Sequence, residues 1–317
     1  MNNKHIEPAL VVVIPVYEDR DAAKLLFKEI STKIKCAVYI VAVDDGSVRN
    51  LINIEVIKNT GLNGVVIKLK RNVGHQRAIA IGLNYVVDEL NNQSQVVIMD
   101  SDGEDLPETI NNLLEALSDS NTDISVATRK GRVETLKFRV FYVVYKSIFK
   151  LLVGKSINFG NFMALKMSAV KRLTSMQELW LHIAGCVISS KLRITSCPLN
   201  RGGRYAGQSK MNFVSLALHG FKGVMIFAED VLVRVGVMCS VIAMTTIIAG
   251  IVAFSLKILG FATPGWFSVA LGILLLVFLQ TGILALISLM LTGVMKNGSI
   301  ATVDYKEFIG EIQTINE

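Results

Sequence analysis

The residues with the plainest capacity for chemistry lie in the run Val96-Val-Ile-Met-Asp100-Ser-Asp102-Gly-Glu104-Asp105-Leu-Pro107-Glu108. An apolar stretch delivers Asp100 and Asp102, one residue apart, into the loop at its end. Two carboxylates so placed suit a hard divalent ion, Mg2+ or Mn2+, held jointly with a substrate diphosphate. Such an ion acts as a Lewis acid on charge developing at a diphosphate leaving group. Asp-x-Asp alone also ends strands and caps helices, and Asp105 equally fits as the cap of a helix starting near Pro107. Glu104 and Asp105 are the carboxylates at hand for proton transfer.

A second cluster is cationic. In Arg204-Tyr-Ala-Gly207-Gln-Ser209-Lys210 two basic residues bracket a glycine-containing loop, a geometry suited to gripping an anion. The same residues also read as a solvated basic loop ahead of an apolar helix. The G-x-x-x-x-G-K spacing of a Walker loop is missing. His75 lies beside the Arg71–Gly74 turn, as either a nucleotide neighbour or an ordinary helix-start histidine. His5, His182 and His219 share no metal spacing. Cys36, Cys186, Cys197 and Cys239 are scattered and read as reduced thiols.

The elements that must position these groups alternate in type. Leu10–Val16 is a nearly unbroken β-branched run, as a strand buried on both faces requires. Further strands are expected at Val38–Val43, Val65–Leu69, Val96–Met99 and Ile124–Ala127. Helical spacing covers Asp21–Lys33, Gln76–Leu90 and Pro107–Leu117, the last with proline near its start. Strands alternating with helices predict a mainly parallel, Rossmann-like sheet covered on both faces. Ligands of such sheets bind beyond the C-terminal strand ends. There stand Tyr17, Asp44–Asp45, Arg71–Asn72 and Asp100–Asp102.

Thr135–Val153 reads as a basic amphipathic helix, with Phe138, Phe141, Tyr142, Tyr145, Phe149 and Leu152 at helical spacing. Such a helix lies in a membrane interface or packs an ordinary core. Phe213–Phe227 is a second surface candidate, within a juxtamembrane helix over 213–230. Val235–Leu256 carries no charge for about 22 residues, about 33 Å of helix and enough to cross hydrocarbon. Phe267–Met295 is a longer uncharged stretch. The short connection with Pro264 and Trp266 makes the two a transmembrane hairpin over 231–296. Lys222, Arg234 and Lys296 flank one side against Lys257 on the other, which predicts both ends in the cytoplasm. Residues 297–317 are then a cytoplasmic tail, and 1–212 a cytoplasmic catalytic domain. Met1 to Pro8 lacks the apolar length of a signal peptide, in keeping with that orientation.

Composition narrows the partners. Of the 317 residues, 51% are hydrophobic, the excess lying near the C-terminus, so a membrane explains it. The net charge of +7 admits nucleic acid, anionic lipid or phosphorylated substrates. No nucleic-acid module accompanies it, so nucleic acid is set aside and membrane and phosphates remain.

Upstream of the acidic run stand Ile14-Pro15-Val16-Tyr17-Glu18-Asp19, Val43-Asp44-Asp45-Gly46-Ser47 and Leu69-Lys70-Arg71-Asn72-Val73-Gly74-His75-Gln76. Four motifs in this order, over about residues 9–212, resemble family-2 glycosyltransferases of the GT-A fold. The polyprenyl-phosphate group, related to dolichol-phosphate mannose synthase and the bactoprenol glucosyltransferases, is the most similar. The resemblance implies that Pro15, Tyr17 and Asp45 line the nucleotide pocket and that Arg71 sits beside the nucleotide. It makes Asp100 and Asp102 the metal pair, and sets Arg129 near the phosphates. Arg204, Ser209 and Lys210 would meet donor or acceptor phosphates. Three positions depart from the pattern. Glu104 replaces a common glutamine, Tyr17-Glu18-Asp19 replaces Tyr-Asn-Glu, and Gly160-Asn161-Phe162-Met163 replaces Gly-Asp-Phe-Arg. Asn161 cannot take a proton, although its amide can orient a substrate.

The expectation is inverting, metal-dependent transfer of a hexose from a nucleotide-sugar, with UDP preferred, to a polyprenyl phosphate such as undecaprenyl phosphate. The resemblance sets this at the bacterial inner membrane, serves surface-polysaccharide modification and is compatible with a homo-oligomer. The alternatives are transfer to a hydroxyl of a lipid-linked oligosaccharide, and a non-catalytic membrane scaffold.

Overall fold

A computed structural model describes residues 8–90, 93–129, 147, 149–205, 222–261, 263, 265–297 and 303–315. These fall into two units, one built from 1–135, 157–226 and 302–317 and the other from 136–156 and 227–301.

The first unit is an eight-stranded sheet in the order β7-β5-β6-β4-β1-β2-β3-β8. Its centre is β1 (Leu10–Val16), buried at every position and paired in parallel with β2 (Val38–Asp44) and β4 (Gln95–Ile98). The alternation of side chains sorts β1 into two cores. Val11 and Val13 face the layer holding Ile79, Leu83 and Val86 of α3 (His75–Glu89). Leu10, Val12 and Ile14 face Leu26, Phe27 and Ile30 of α1 (Arg20–Lys33). Sandwiched this way, the strand needs apolar residues on both faces, which is why it reads as an unbroken run.

β3 (Asn63–Leu69) extends the parallel set beyond β2, after the short α2 (Ile54–Lys58). The chain then crosses through α3 to β4 on the other side of β1. The order reverses there, so the crevice beyond β1 and β4 is the topological switch point, where ligands of such sheets bind. Pro107–Thr109 forms a 3-10 turn ahead of α4 (Ile110–Ser118), which together make the single helix expected from Pro107.

Outside the parallel core the sheet is mixed. β6 (Phe159–Lys166) lies antiparallel between β4 and β5 (Ile124–Arg129), and β7 (Ile194–Leu199) runs parallel to β5. Two short helices, α5 (Met167–Thr174) and α6 (Ile183–Ser189), connect them. At the other edge, β8 (Ile309–Thr314) pairs antiparallel with β3. Within the segment 297–317, expected only as a tail, the described residues 303–315 thus add a strand to the sheet. Tyr305 anchors it by donating to Asp88 Oδ2 at 2.9 Å, and Phe308 packs on Trp180.

The second unit holds α7 (Ala228–Ile258) and α8 (Trp266–Asn297), with mean hydropathies of 2.4 and 2.5 over their most apolar windows. Cys239, Thr246 and Ala253 are buried at a seven-residue spacing on α7, a seam of small side chains that lets helices approach closely. Most other apolar side chains of the pair point outward, among them Ile247, Ile251, Phe254, Leu276 and Leu286. So much contiguous apolar surface is incompatible with water and suits lipid. The amphipathic helix expected over 135–153 falls outside the described residues except for 147 and 149–153, and 213–221 lies outside them altogether.

Candidate active site

Beyond the ends of β1, β2 and β3, three loops are stapled by carboxylates that accept backbone N–H groups. Glu18, in the left-handed region at φ 49°, accepts from Val48 at 2.7 Å, Arg49 at 3.1 Å and Asn50 at 2.8 Å. Those N–H groups, outweighing desolvation, hold its carboxyl below the ordinary range. Asp44 accepts from Ser47 at 2.9 Å and from Ile52 at 3.3 Å, closing the turn after β2. Asp45, 2% exposed, accepts from Val73 at 2.7 Å and Gly74 at 3.0 Å, which ties that turn to the loop after β3. Burial holds the Asp45 carboxyl above its usual range despite these bonds. Gly46, at φ 68°, lets the two loops touch, since a Cβ there would overlap the backbone of Arg71 and Asn72.

This places the residues expected around a nucleotide. Pro15 is buried within β1, Tyr17 is 44% exposed at its end, and Arg71 is exposed on the stapled turn. Asp45 sits beneath them as a tie between loops.

The acidic loop follows β4. Met99 N–H still bonds to Val13 carbonyl oxygen at 3.2 Å, so Asp100 starts where the ladder stops. Asp102 Oδ1 accepts Glu104 N–H at 3.0 Å, and its Oδ2 accepts Arg204 Nη2 at 2.7 Å. Arg204 Nε also reaches Glu104 Oε1 at 3.2 Å, and Arg201 pairs with Glu104 Oε2. Asp105 Oδ2 accepts Asp100 N–H at 3.3 Å. Burial, reinforced by the Asp100 carboxylate, pushes Asp105 up to about 7. Burial likewise holds Asp102 above its usual range. For Asp100 burial opposes ionisation, but His75, Arg201 and Asn161 outweigh it and its carboxyl lies low.

On the other side of Asp100 runs a directed polar chain. Ile183 N–H, at the start of α6, donates to Gln76 Oε1 at 2.7 Å, which fixes the Gln76 amide. Gln76 Nε2 then donates to Asn161 Oδ1 at 3.0 Å, which leaves Asn161 Nδ2 turned toward His75 Nε2 at 2.9 Å. His75 Nε2 also stands 3.1 Å from Asp100 Oδ1. Burial lowers the His75 pKa, but Asp100, Asp45 and Asp102 more than offset this and leave it raised.

The donor set fits a divalent cation. Its oxygens are hard, and the buried Asp100 Oδ1 is faced by an exchangeable side chain, the His75 ring, and not tied to backbone. Asp100, Asp102 and Glu104 are the residues that would hold it. No three acidic, imidazole or thiol side chains already converge on one cation position among the described residues.

Asp100, Asp102, Glu104, Asp105, Asn161 and Arg204 therefore meet in one place. Arg129 ends β5, and Ser209 and Lys210 lie outside the described residues. Sequence reasoning did not assign Glu18, Gln76 and Arg201, and left His75 open. The signal for Gln76 was a polar residue opening an otherwise apolar helix, and for Arg201 an arginine three positions before Arg204.

Residues 11–173 match the model of Glycosyl transferase family 2. The chain belongs to that family. It is a glycosyltransferase with the GT-A fold. Similar proteins include the uncharacterized glycosyltransferase YkoT of Bacillus subtilis, 26% identical over 87% of this chain and 85% of the relative. The undecaprenyl-phosphate 4-deoxy-4-formamido-L-arabinose transferase of Edwardsiella ictaluri is 29% identical over 65% of this chain and 63% of its own. Glucosyl-3-phosphoglycerate synthase from Mycobacterium tuberculosis, solved with Mn2+, uridine diphosphate and phosphoglyceric acid, superposes with a TM-score of 0.52 at 16% identity. The match covers 72% of this chain and 78% of that one. This likeness is one of fold.

Proposed function

We propose that this glycosyltransferase moves a hexose, with inversion, from a UDP-sugar to a polyprenyl phosphate such as undecaprenyl phosphate at the cytoplasmic face of the bacterial inner membrane. The lipid-linked sugar would feed surface-polysaccharide modification.

The observation that carries the acceptor assignment is Asn161. Gln76 occupies its oxygen, so the group it turns toward Asp100 and His75 is an N–H donor and not a base. A phosphomonoester, with a second pKa of about 6, arrives ionised and needs positioning more than deprotonation. A sugar hydroxyl would need a general base. Asp105, one carboxyl that could serve, is tied back to the Asp100 N–H.

Tyr17, Arg71 and Pro15 present the nucleoside surface, and Asp45 sets its floor. Asp100 and Asp102, with Glu104, would hold Mg2+ or Mn2+, which when bound would neutralise charge on the leaving group. Arg129, Arg204, Ser209 and Lys210 are the cationic and hydroxyl partners for donor and acceptor phosphates. The hairpin of α7 and α8 supports a membrane location. The return of β8 to the sheet after the hairpin is in keeping with two crossings and both ends in the cytoplasm. The Edwardsiella relative, by its name, acts on undecaprenyl phosphate, which favours the same acceptor class.

The test is a radiolabelled sugar-transfer assay in detergent with undecaprenyl phosphate, Mn2+ or Mg2+ and a panel of nucleotide-sugars, beside Asp102→Asn and EDTA controls. An organic-extractable product that needs metal and disappears in the variant supports the reading. Donor binding without lipid product across the panel would overturn it, in favour of a lipid-linked oligosaccharide hydroxyl. Activity-independent binding unchanged in Asp102→Asn would point to a scaffold.

A further inference from the structure

We propose that Arg204 is a built-in counter-cation of the acidic loop, which excludes free divalent metal and admits it only together with the nucleotide diphosphate. The inference rests on the donor reading above and adds an order of assembly to it.

Both oxygens of Asp102 are engaged, one by Glu104 N–H at 3.0 Å and one by Arg204 at 2.7 Å. Arg204 also bridges to Glu104 at 3.2 Å, and Arg201 takes the remaining Glu104 oxygen. Two guanidinium groups thus neutralise two carboxylates that a cation would use, while the buried Asp100 Oδ1 has the His75 ring beside it, 3.1 Å from Nε2. This arrangement accounts for the absence of a ready-made cation cage among the described residues. A divalent ion seated on Asp100 and Asp102 alone would face the Arg204 guanidinium at close range, and like charges at that separation repel strongly.

A diphosphate changes the balance. It supplies pairs of non-bridging oxygens that the planar guanidinium fork can take two at a time, so Arg204 has somewhere to go. The move requires only the side chain. The loop itself is fastened to the acidic segment by Tyr205 N–H to Asp102 carbonyl oxygen at 3.0 Å and Gly202 N–H to Glu104 carbonyl oxygen at 2.9 Å. The Tyr205 ring also covers Gly103, at φ 81°, where a Cβ would overlap it. Arg204 therefore stays within reach of the diphosphate after leaving Asp102.

A static structural ion pair makes the opposite forecast, since breaking it would only loosen the loop and weaken every ligand. The experiment titrates Mn2+ into the full-length protein in detergent and reads free Mn2+ by electron paramagnetic resonance, without nucleotide and with UDP or GDP. In the native protein, Mn2+ alone binds weakly and nucleotide tightens it at least tenfold. In Arg204→Gln, Mn2+ alone binds several-fold tighter than in the native protein, and the gain from nucleotide shrinks to less than threefold. Arg204→Lys keeps the charge without the fork, and so retains weak Mn2+ binding while losing part of the nucleotide gain. Equal or weaker Mn2+ binding by Arg204→Gln overturns the proposal. If that variant does not fold, native Mn2+ affinity that is independent of nucleotide overturns it instead. Should the native protein bind no nucleotide at all, the donor reading fails, while the nucleotide-free comparison still decides the role of Arg204.

Discussion

Replacing Asp45 tests whether the nucleotide surface is held by loop-to-loop ties. Asp45 is 2% exposed and accepts two N–H groups, from Val73 at 2.7 Å and Gly74 at 3.0 Å. Asp45→Ala orphans both donors, each costing about 1–3 kcal/mol when water cannot replace the acceptor. Val73 and Gly74 are only partly buried, so hydration recovers some of this and about 2–4 kcal/mol of destabilisation is expected. Asp45→Asn keeps one acceptor oxygen but turns its amide N–H toward the second donor. It also removes a carboxylate whose burial already disfavours its charge. The two effects oppose, and about 1 kcal/mol remains. Urea unfolding in detergent measures the global cost, and hydrogen exchange at Val73 and Gly74 the local one. UDP binding should weaken about tenfold in Asp45→Ala, because the released turn carries Arg71. An alanine variant within 0.5 kcal/mol of native, with those amides exchanging at native rates, would refute the staple.

Three other perturbations probe separate parts of the molecule. Gly46→Ala adds a left-handed penalty of about 1–2 kcal/mol and pushes a methyl into the Arg71 backbone, so a lower melting temperature and weaker UDP binding should appear together; native values for both would sink this. Gln76→Leu removes the acceptor of Ile183 N–H and the guide of Asn161, so kcat should fall about tenfold with donor KM little changed, in steady-state kinetics with varied donor. Arg193 holds Asp123 through paired bonds of 2.9 and 2.7 Å and lowers its carboxyl to about 2. The sign follows from the depressed value: the tie contributes above the ordinary carboxylate range and is lost as pH falls from about 4 toward 2. Arg193 is solvent-exposed, so Arg193→Gln should lower stability only slightly at pH 7, with the gap closing near pH 2 in urea titrations.

How much of this was legible in the sequence depends on how local each signal is. The strands β1 to β4 announce themselves because burial on both faces forces consecutive apolar residues, as in Val11, Val12 and Val13. β8 does not, because an edge strand buries little, and Gly310, Glu311 and Gln313 dilute its pattern. β6 is hidden for another reason: its partners β4 and β5 lie far from it in the chain, so no hairpin turn marks it. Asp100 and Asp102 were visible from their spacing. Gln76 was not, since its two partners, Asn161 and Ile183, are 85 and 107 residues away.

The same distinction explains why acidic residues that look alike in sequence do different work. Glu18, Asp44 and Asp45 all spend their oxygens on backbone N–H groups, which cannot withdraw unless the loop itself unfolds. Such carboxylates are scaffolding, and their removal should be felt in stability and loop exchange before chemistry. Asp102 and Glu104 are satisfied mainly by guanidinium groups at the ends of long, mobile side chains. Those partners can leave while the backbone stays, so these carboxylates remain exchangeable. Asp100 belongs with them, since the group beside its buried Oδ1 is the His75 side chain and not a backbone N–H. On the proposed function, the identity of the partner, more than the burial of the acid, is therefore what should separate residues that build the pocket from those that act in it.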